Sequence, residues 1–163
     1  MANLITSEQV KAIVTPINAF DPSFFDTSIQ YIEDSVICGI LTKAYYDDLV
    51  AKVALLPGTP LSAADQAVYD IVLNAEAYAV AYESYQKDLE TKPNNQGMMT
   101  NHTQWSKSAE TVRATRVLKT LKDREYFYCF QLGEFLIDNA AAYPLFDVDT
   151  VNYEPNFRRF FAL

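Results

Sequence analysis

The chain has 163 residues, half of them apolar and 21% charged, with 11 Tyr and 10 Phe against only 4 Gly. That length suits one domain able to bury a core without disulfide or metal staples. A net charge of −8 argues against a protein that grips nucleic acid, which needs a basic stripe, and no apolar run is long enough to span a membrane.

The first residues, Met1-Ala-Asn-Leu-Ile-Thr-Ser-Glu8, have neither a basic n-region nor an apolar h-region. No signal peptide is expected, and synthesis in a cytoplasm is. Cys38 and Cys129 both fall in expected helices and read as free thiols of a reducing compartment. The abundant Tyr, a large apolar body with a polar tip, favours surfaces buried only in part or only in a complex.

Thr6 and Gln9 form a capping box for a short helix ending near Val14, ahead of Pro16. Asp21-Pro22 is a second helix start, followed by the stripe Phe25, Ile29, Ile32, Val36 and Ile40. Gly39 marks the end of that helix or a bend. Thr42 is placed to cap a helix from Lys43 to about Leu55, with Tyr45, Tyr46, Leu49 and Val53 inward. Pro57-Gly58-Thr59-Pro60 is a loop. Ser62 with Asp65 opens a helix to about Tyr85, whose stripe is Val68, Ile71, Val72, Ala75, Ala79 and Tyr82.

From Asp88 to Trp105 the helical period is missing. Lys92–Gly97 reads as a turn flanked by short extended arms, Leu89–Thr91 and Met98–Thr100. A loop of such length is usually functional or mobile. The longest helix is expected from Ser106 to Ala142, with Leu118, Leu121, Cys129, Leu132 and Leu136 at helical spacing and Pro144 as the stop. At roughly 50 Å it outgrows a core of this size, which points to an assembly part before an enzyme. Beyond it lies a tail rich in rings, including Tyr153, Phe157, Phe160 and Phe161, which must dock on its own domain or on a neighbour.

Chemistry is hard to find in the sequence. The lone His102 reads as a solvated loop residue, the cysteines have no metal-ligand spacing, and Gly is too scarce for a phosphate loop. Asp47-Asp48 read as a solvated face, and the run from Arg113 to Arg124 as a salt-bridged helix surface. Glu125 shares a stripe with Leu121, Cys129 and Leu132. A salt bridge, or a side chain reaching out from the core edge, is the expected explanation, with a raised-pKa acid as the alternative. No cofactor, metal site or catalytic constellation is expected, and the chain is not read as an enzyme.

Four places share an order and spacing: Phe25 through Leu49, ending in Ile40-Leu-Thr-Lys-Ala-Tyr-Tyr-Asp-Asp-Leu49, the Ala/Tyr-rich Asn74–Tyr85, the loop Thr91–Ser108 around Gly97-Met98-Met99, and Tyr143-Pro-Leu-Phe146 at the end of the long last helix. Together they resemble the head–tail connector (adaptor) proteins of tailed bacteriophages, of the type found in phages of gut Bacteroidetes, crAss-like phages among them. The resemblance covers about residues 4 to 147. At the junction the family has Gly where this chain has Thr42, and the tail after Phe146 has no counterpart in it.

The resemblance implies an all-α helical bundle of three to four main helices, with a very long C-terminal helix, a long extended loop or hairpin at about 88–106 and an irregular tail. The domain division is 1–146 for the bundle and 147–163 for a docking tail. The implied role is a virion protein, made in the host cytoplasm, that forms a ring, typically of twelve copies, under the portal protein. Further tail proteins would attach to it, and DNA would pass through the ring without sequence-specific binding. The interface residues expected from exposure and resemblance are Leu89, Lys92, Asn94, Asn95, Gln96, Met98, Met99, Trp105, Tyr153, Phe157, Arg158, Arg159, Phe160 and Phe161. The alternative is an acidic helical binding or inhibitor protein acting on a single host or phage target.

Overall fold

Local signals in the sequence set the first helices. The computed structural model describes residues 3–14, 21–91 and 104–150, without the side chains of 89–91, 104–111 and 150. Helix α1 (Ser7–Ile13) starts at a complete capping box, Thr6 Oγ1 accepting from Gln9 N and the Gln9 side chain accepting from Thr6 N. Asp21 accepts from Ser23 N at 3.0 Å, and Pro22 fills the first position of a 3-10 turn, Pro22–Phe25. That turn leads into α2 (Asp26–Ile32), a π turn (Glu33–Ile37) and α3 (Cys38–Leu41).

The π turn changes which side chains face inward. One extra residue in the turn rotates the following positions. Ile37 and Glu33 are fully buried, whereas Val36, on the stripe by regular spacing, is half-buried. The bend expected at Gly39 lies instead at Thr42, whose backbone is at φ 64°, ψ 148°. Few residues with a Cβ adopt that conformation, and it costs on the order of 1–3 kcal/mol. The Thr42 hydroxyl makes no cap on α4 (Lys43–Val53); it donates to Leu145 O at 3.4 Å.

Two long helices follow, α5 (Ala63–Thr91, 29 residues) and α6 (Gln104–Asp138, 35 residues). All regular structure among the described residues is helical, so the fold is all-α. Helix α5 is the centre: α1, α2, the π turn and α6 all pack on it. From Ala75 to Ala81 every side chain except Tyr78 is fully buried, so the helix is enclosed on more than the one expected face. On α6 the expected positions Leu121, Cys129, Leu132 and Leu136 are fully buried, and Tyr78 stacks on Tyr128 with ring centroids 5.5 Å apart.

The connection between these helices is shorter than the sequence reading had it. Asp88–Thr91 continues α5, so the extended arm at Leu89–Thr91 is a helix end, and α6 begins two residues before Ser106. Leu89 and Glu90 favour helix there, and the Glu83–Lys87 ion pair at 3.1 Å supports the turn before it, without an apolar stripe. The Lys92–Gly97 turn, the Met98–Thr100 arm and His102 lie outside the described residues. At its other end α6 stops at Asp138, short of Ala142. Asn139 Nδ2 donates to Phe135 O at 2.8 Å, and a 3-10 turn, Ala140–Ala142, returns the chain to the core at Tyr143 and Phe146.

No described side chain of α6 before Leu121 is fully buried. Val117 is the first described α6 side chain packed on the core, and the turns of α6 before it, with the last turns of α5, form an arm.

Because the strain at Thr42 comes from its Cβ, Thr42→Gly should stabilise the fold by about 1 kcal/mol after the added chain entropy of Gly, whereas Thr42→Ala should not. Urea unfolding midpoints of the two variants against the parent measure this.

Candidate functional site

None of the expected interface side chains is described. Leu89 and Trp105 sit in the end turns of α5 and α6 without a described side chain. Lys92, Asn94, Asn95, Gln96, Met98, Met99, Tyr153, Phe157, Arg158, Arg159, Phe160 and Phe161 lie outside the described residues. What the structure does bring together are an outward face of α6 and two polar clusters.

The outward face follows from helical period. Phe127, Phe130, Glu134 and Ile137 are spaced three and four apart, on the side away from Cys129, Leu132 and Leu136. Phe127 is 54% and Ile137 48% exposed, with Phe130 at 39%. Exposed Asp123, Glu134 and Asp138 lie along the same side. Apolar side chains repeated along one helix face, with carboxylates among them, have the make-up of a contact surface. On the inner side Glu125 pairs with Lys122 at 3.3 Å, and Lys122 also lies 4.5 Å from the Tyr82 ring centre. Both readings of Glu125 thus have a place: it is paired, and burial still raises its pKa, partly offset by Lys122.

The first polar cluster joins α4 to the start of α5. Ser62 Oγ accepts from Asp65 N at 3.1 Å and donates to Asp65 Oδ2 at 2.7 Å, which caps α5 as its sequence position suggests. Lys52 Nζ reaches Asp65 Oδ2 at 3.0 Å and Asp48 Oδ2 at 2.6 Å, while Tyr45 donates to Asp65 Oδ1 at 3.4 Å. Asp48 is therefore half-buried and paired, and only Asp47, paired with Lys43, keeps the solvated position expected of both. Burial acts to raise the Asp65 carboxyl, but Ser62 and Lys52 outweigh it and hold the pKa below its usual 3.8. The Lys52 pKa is raised, first by the hydrogen bond to Asp48. Both groups stay charged near neutrality. An open cleft of about 250 Å³ runs beside them towards Tyr143. Its charged groups are already matched to one another.

The second cluster is a pair of core carboxyls. Glu33 and Glu76 are both fully buried. Glu33 Oε1 accepts from the backbone N–H of Leu4 in a short hydrogen bond, and Glu33 Oε2 accepts from Tyr46 OH at 3.0 Å. No N–H or hydroxyl group donates to either oxygen of Glu76. Its partner is the Glu33 carboxyl, a bond that needs a proton on one of the two. Burial, and then the adjacent Glu33, push the Glu76 pKa well above its usual 4.5, which favours the protonated form of Glu76. The sequence held a signal for this pair. Ile29, Glu33 and Ile37 are four apart, as are Val72, Glu76 and Val80. A carboxyl set into an apolar four-residue spacing faces the core.

Among the described residues no group of three or more His, Cys, Asp or Glu side chains is placed to hold a metal ion, and no helix is long and apolar enough to cross a membrane. Cys129 is buried and Cys38 half-buried, both as free thiols.

The fold defines an all-α protein built on a long helical hairpin, with shorter helices packed over one end of it. Residues 37–156 match DUF6712, a family of unknown function, and the chain belongs to that family. No curated protein and no solved structure matches the chain.

Asp65→Asn should lower stability by about 1–3 kcal/mol at neutral pH, since it removes a charged acceptor shared by three donors. The Asp65 pKa is lowered in the native state, so its contribution is full above the usual 3.8 and fades as pH falls through the native value. The gap between parent and variant in urea unfolding should therefore narrow in acid.

Proposed function

We propose that this protein is a structural subunit of the head–tail connector of a tailed bacteriophage. Copies of it associate as a ring beneath the portal protein, further tail proteins attach below, and DNA passes through the middle. The sequence resemblance set out above suggests this role, and the outward face of α6 is the observation that carries it. Phe127, Phe130 and Ile137 lie on a helix that outruns its own core, and a repeated apolar face on such a helix gains most by burial against another subunit.

A ring needs two different surfaces on each subunit that complement each other around a closed circle. The outward face of α6 supplies one, and the arm formed by α5 and α6 has the reach to supply the other. The net charge of −8 per chain, repeated around a ring, would discourage DNA from adhering to the wall. The two polar clusters add no reason to expect catalysis: the charges of one are paired, and the other is sealed in the core.

The protein mixed with its cognate portal should appear in electron micrographs as an added ring with the portal's own symmetry. A bare portal with monomeric protein would instead favour the acidic binding protein acting on a single target. Within the ring reading, Phe127→Glu and Ile137→Glu should abolish assembly while shifting the thermal midpoint of the isolated subunit little, as mass photometry and calorimetry would register.

A further inference from the structure

The N-terminal segment is fastened to the bundle at a single backbone residue. Leu4 N donates to Glu33 Oε1, and Leu4 O accepts from Tyr69 OH at 3.0 Å. Behind this clamp, Leu4, Ile5, Val10 and Val14 are fully buried, and α1 lies on α5 and on the 3-10 turn that precedes α2. A hydrogen bond from Ser7 to Asp26 adds a second tie at the surface. The clamp residues come from three elements, Glu33 in the π turn, Tyr46 in α4, and Tyr69 with Glu76 in α5.

We propose that the Glu33–Glu76 pair is a latch for the N-terminal arm, residues 4–14: the arm stays seated while the pair holds one proton, and loss of that proton releases it. The groups acting on the pair are the Leu4 N–H and the Tyr46 hydroxyl, the nearby carboxylate of Asp34, and Tyr69, whose hydroxyl feels the charge of Glu76. Among the described residues no Lys, Arg or His acts on either carboxyl. Among the described side chains the proton is therefore the means of balancing the second charge. Two carboxylates sealed together without a cation cannot both ionise unless water reaches them. The arm is the smallest cover over them: α1 has seven residues, while α4 and α5 are longer elements fixed at other contacts. Opening is expected at the least stable piece, and the arm is that piece.

The direction follows from proton binding. The closed state holds a proton that the open state gives up, so opening is favoured as pH rises from the ordinary carboxyl range towards the pair's own titration. Hydrogen exchange followed by mass spectrometry, corrected for the intrinsic pH dependence of exchange, reads this directly. Above the usual carboxyl value of 4.5 the opening constant of amides 4–14 should rise with pH, by up to ~10-fold per pH unit, while the α5–α6 amides keep theirs. Glu76→Gln, which keeps a donor towards Glu33 but has no charge to lose, should leave the arm's opening constant flat. Glu76→Leu, which likewise has no proton to lose, should do the same and carries the test if Glu76→Gln fails to fold by circular dichroism. A flat profile in the parent, an equal rise in α5–α6, or an unchanged rise in a folded variant would overturn the latch. None of these outcomes bears on ring assembly, so the two proposals stand or fall separately.

Discussion

Packing around α5 is the constraint on which the rest of the molecule depends. Ala75, Ala77, Ala79 and Ala81 are fully buried there, and side chains this small let neighbouring backbones come close from several sides. A single amphipathic face would have given a two-layer bundle. An alanine-rich segment buried nearly all round instead makes α5 an axis, with α6 along it and α1, α2 and the π turn gathered over one end. Large-to-small changes are not available in such a segment, and small-to-large ones force helices apart.

That crowded axis also explains why two acids in the same core behave in opposite ways. Asp65 stands at the start of α5, where a lysine can reach it from α4, and its charge is kept. Glu76 stands in the middle of the alanine segment with no described basic group acting on it, and burial raises its pKa instead. The difference lies in access for a partner. The π turn begins at Glu33 on the facing element, and Val36 within it is left half outside.

Much of the fold was legible in the sequence because its signals are local. The Thr6–Gln9 box, Asp21-Pro22, Ser62 with Asp65, and the Leu121–Leu136 stripe each fix a helix or its face by spacing alone. The errors have one origin: helix that persists without an apolar stripe. Asp88–Thr91 stays helical on propensity and an ion pair, so a missing period was read as a missing helix. The π turn was invisible because it depends on what packs against Glu33. Thr42 was marked as a departure from an expected glycine, and its backbone at φ 64° has the conformation a glycine would adopt freely. The candidate interface was the least legible part. Its expected members fall outside the described residues or have no described side chain, and the outward face of α6 lies in a run, 126–137, whose apolar residues are not confined to one stripe.

The arm at the start of α6 has a metrical consequence. From Gln104 to Leu121 the helix advances roughly 25 Å at 1.5 Å per residue, with no fully buried described side chain to fix that distance. Before Leu121 only Val117 among its described apolar side chains packs on the core, so the length follows the residue count more than the packing. Removing seven residues from each helix of the pair would shorten the arm by about 10 Å and turn it by only ~20°. The hairpin behaves as a ruler, and its graduations can be changed without altering the body to which it is attached.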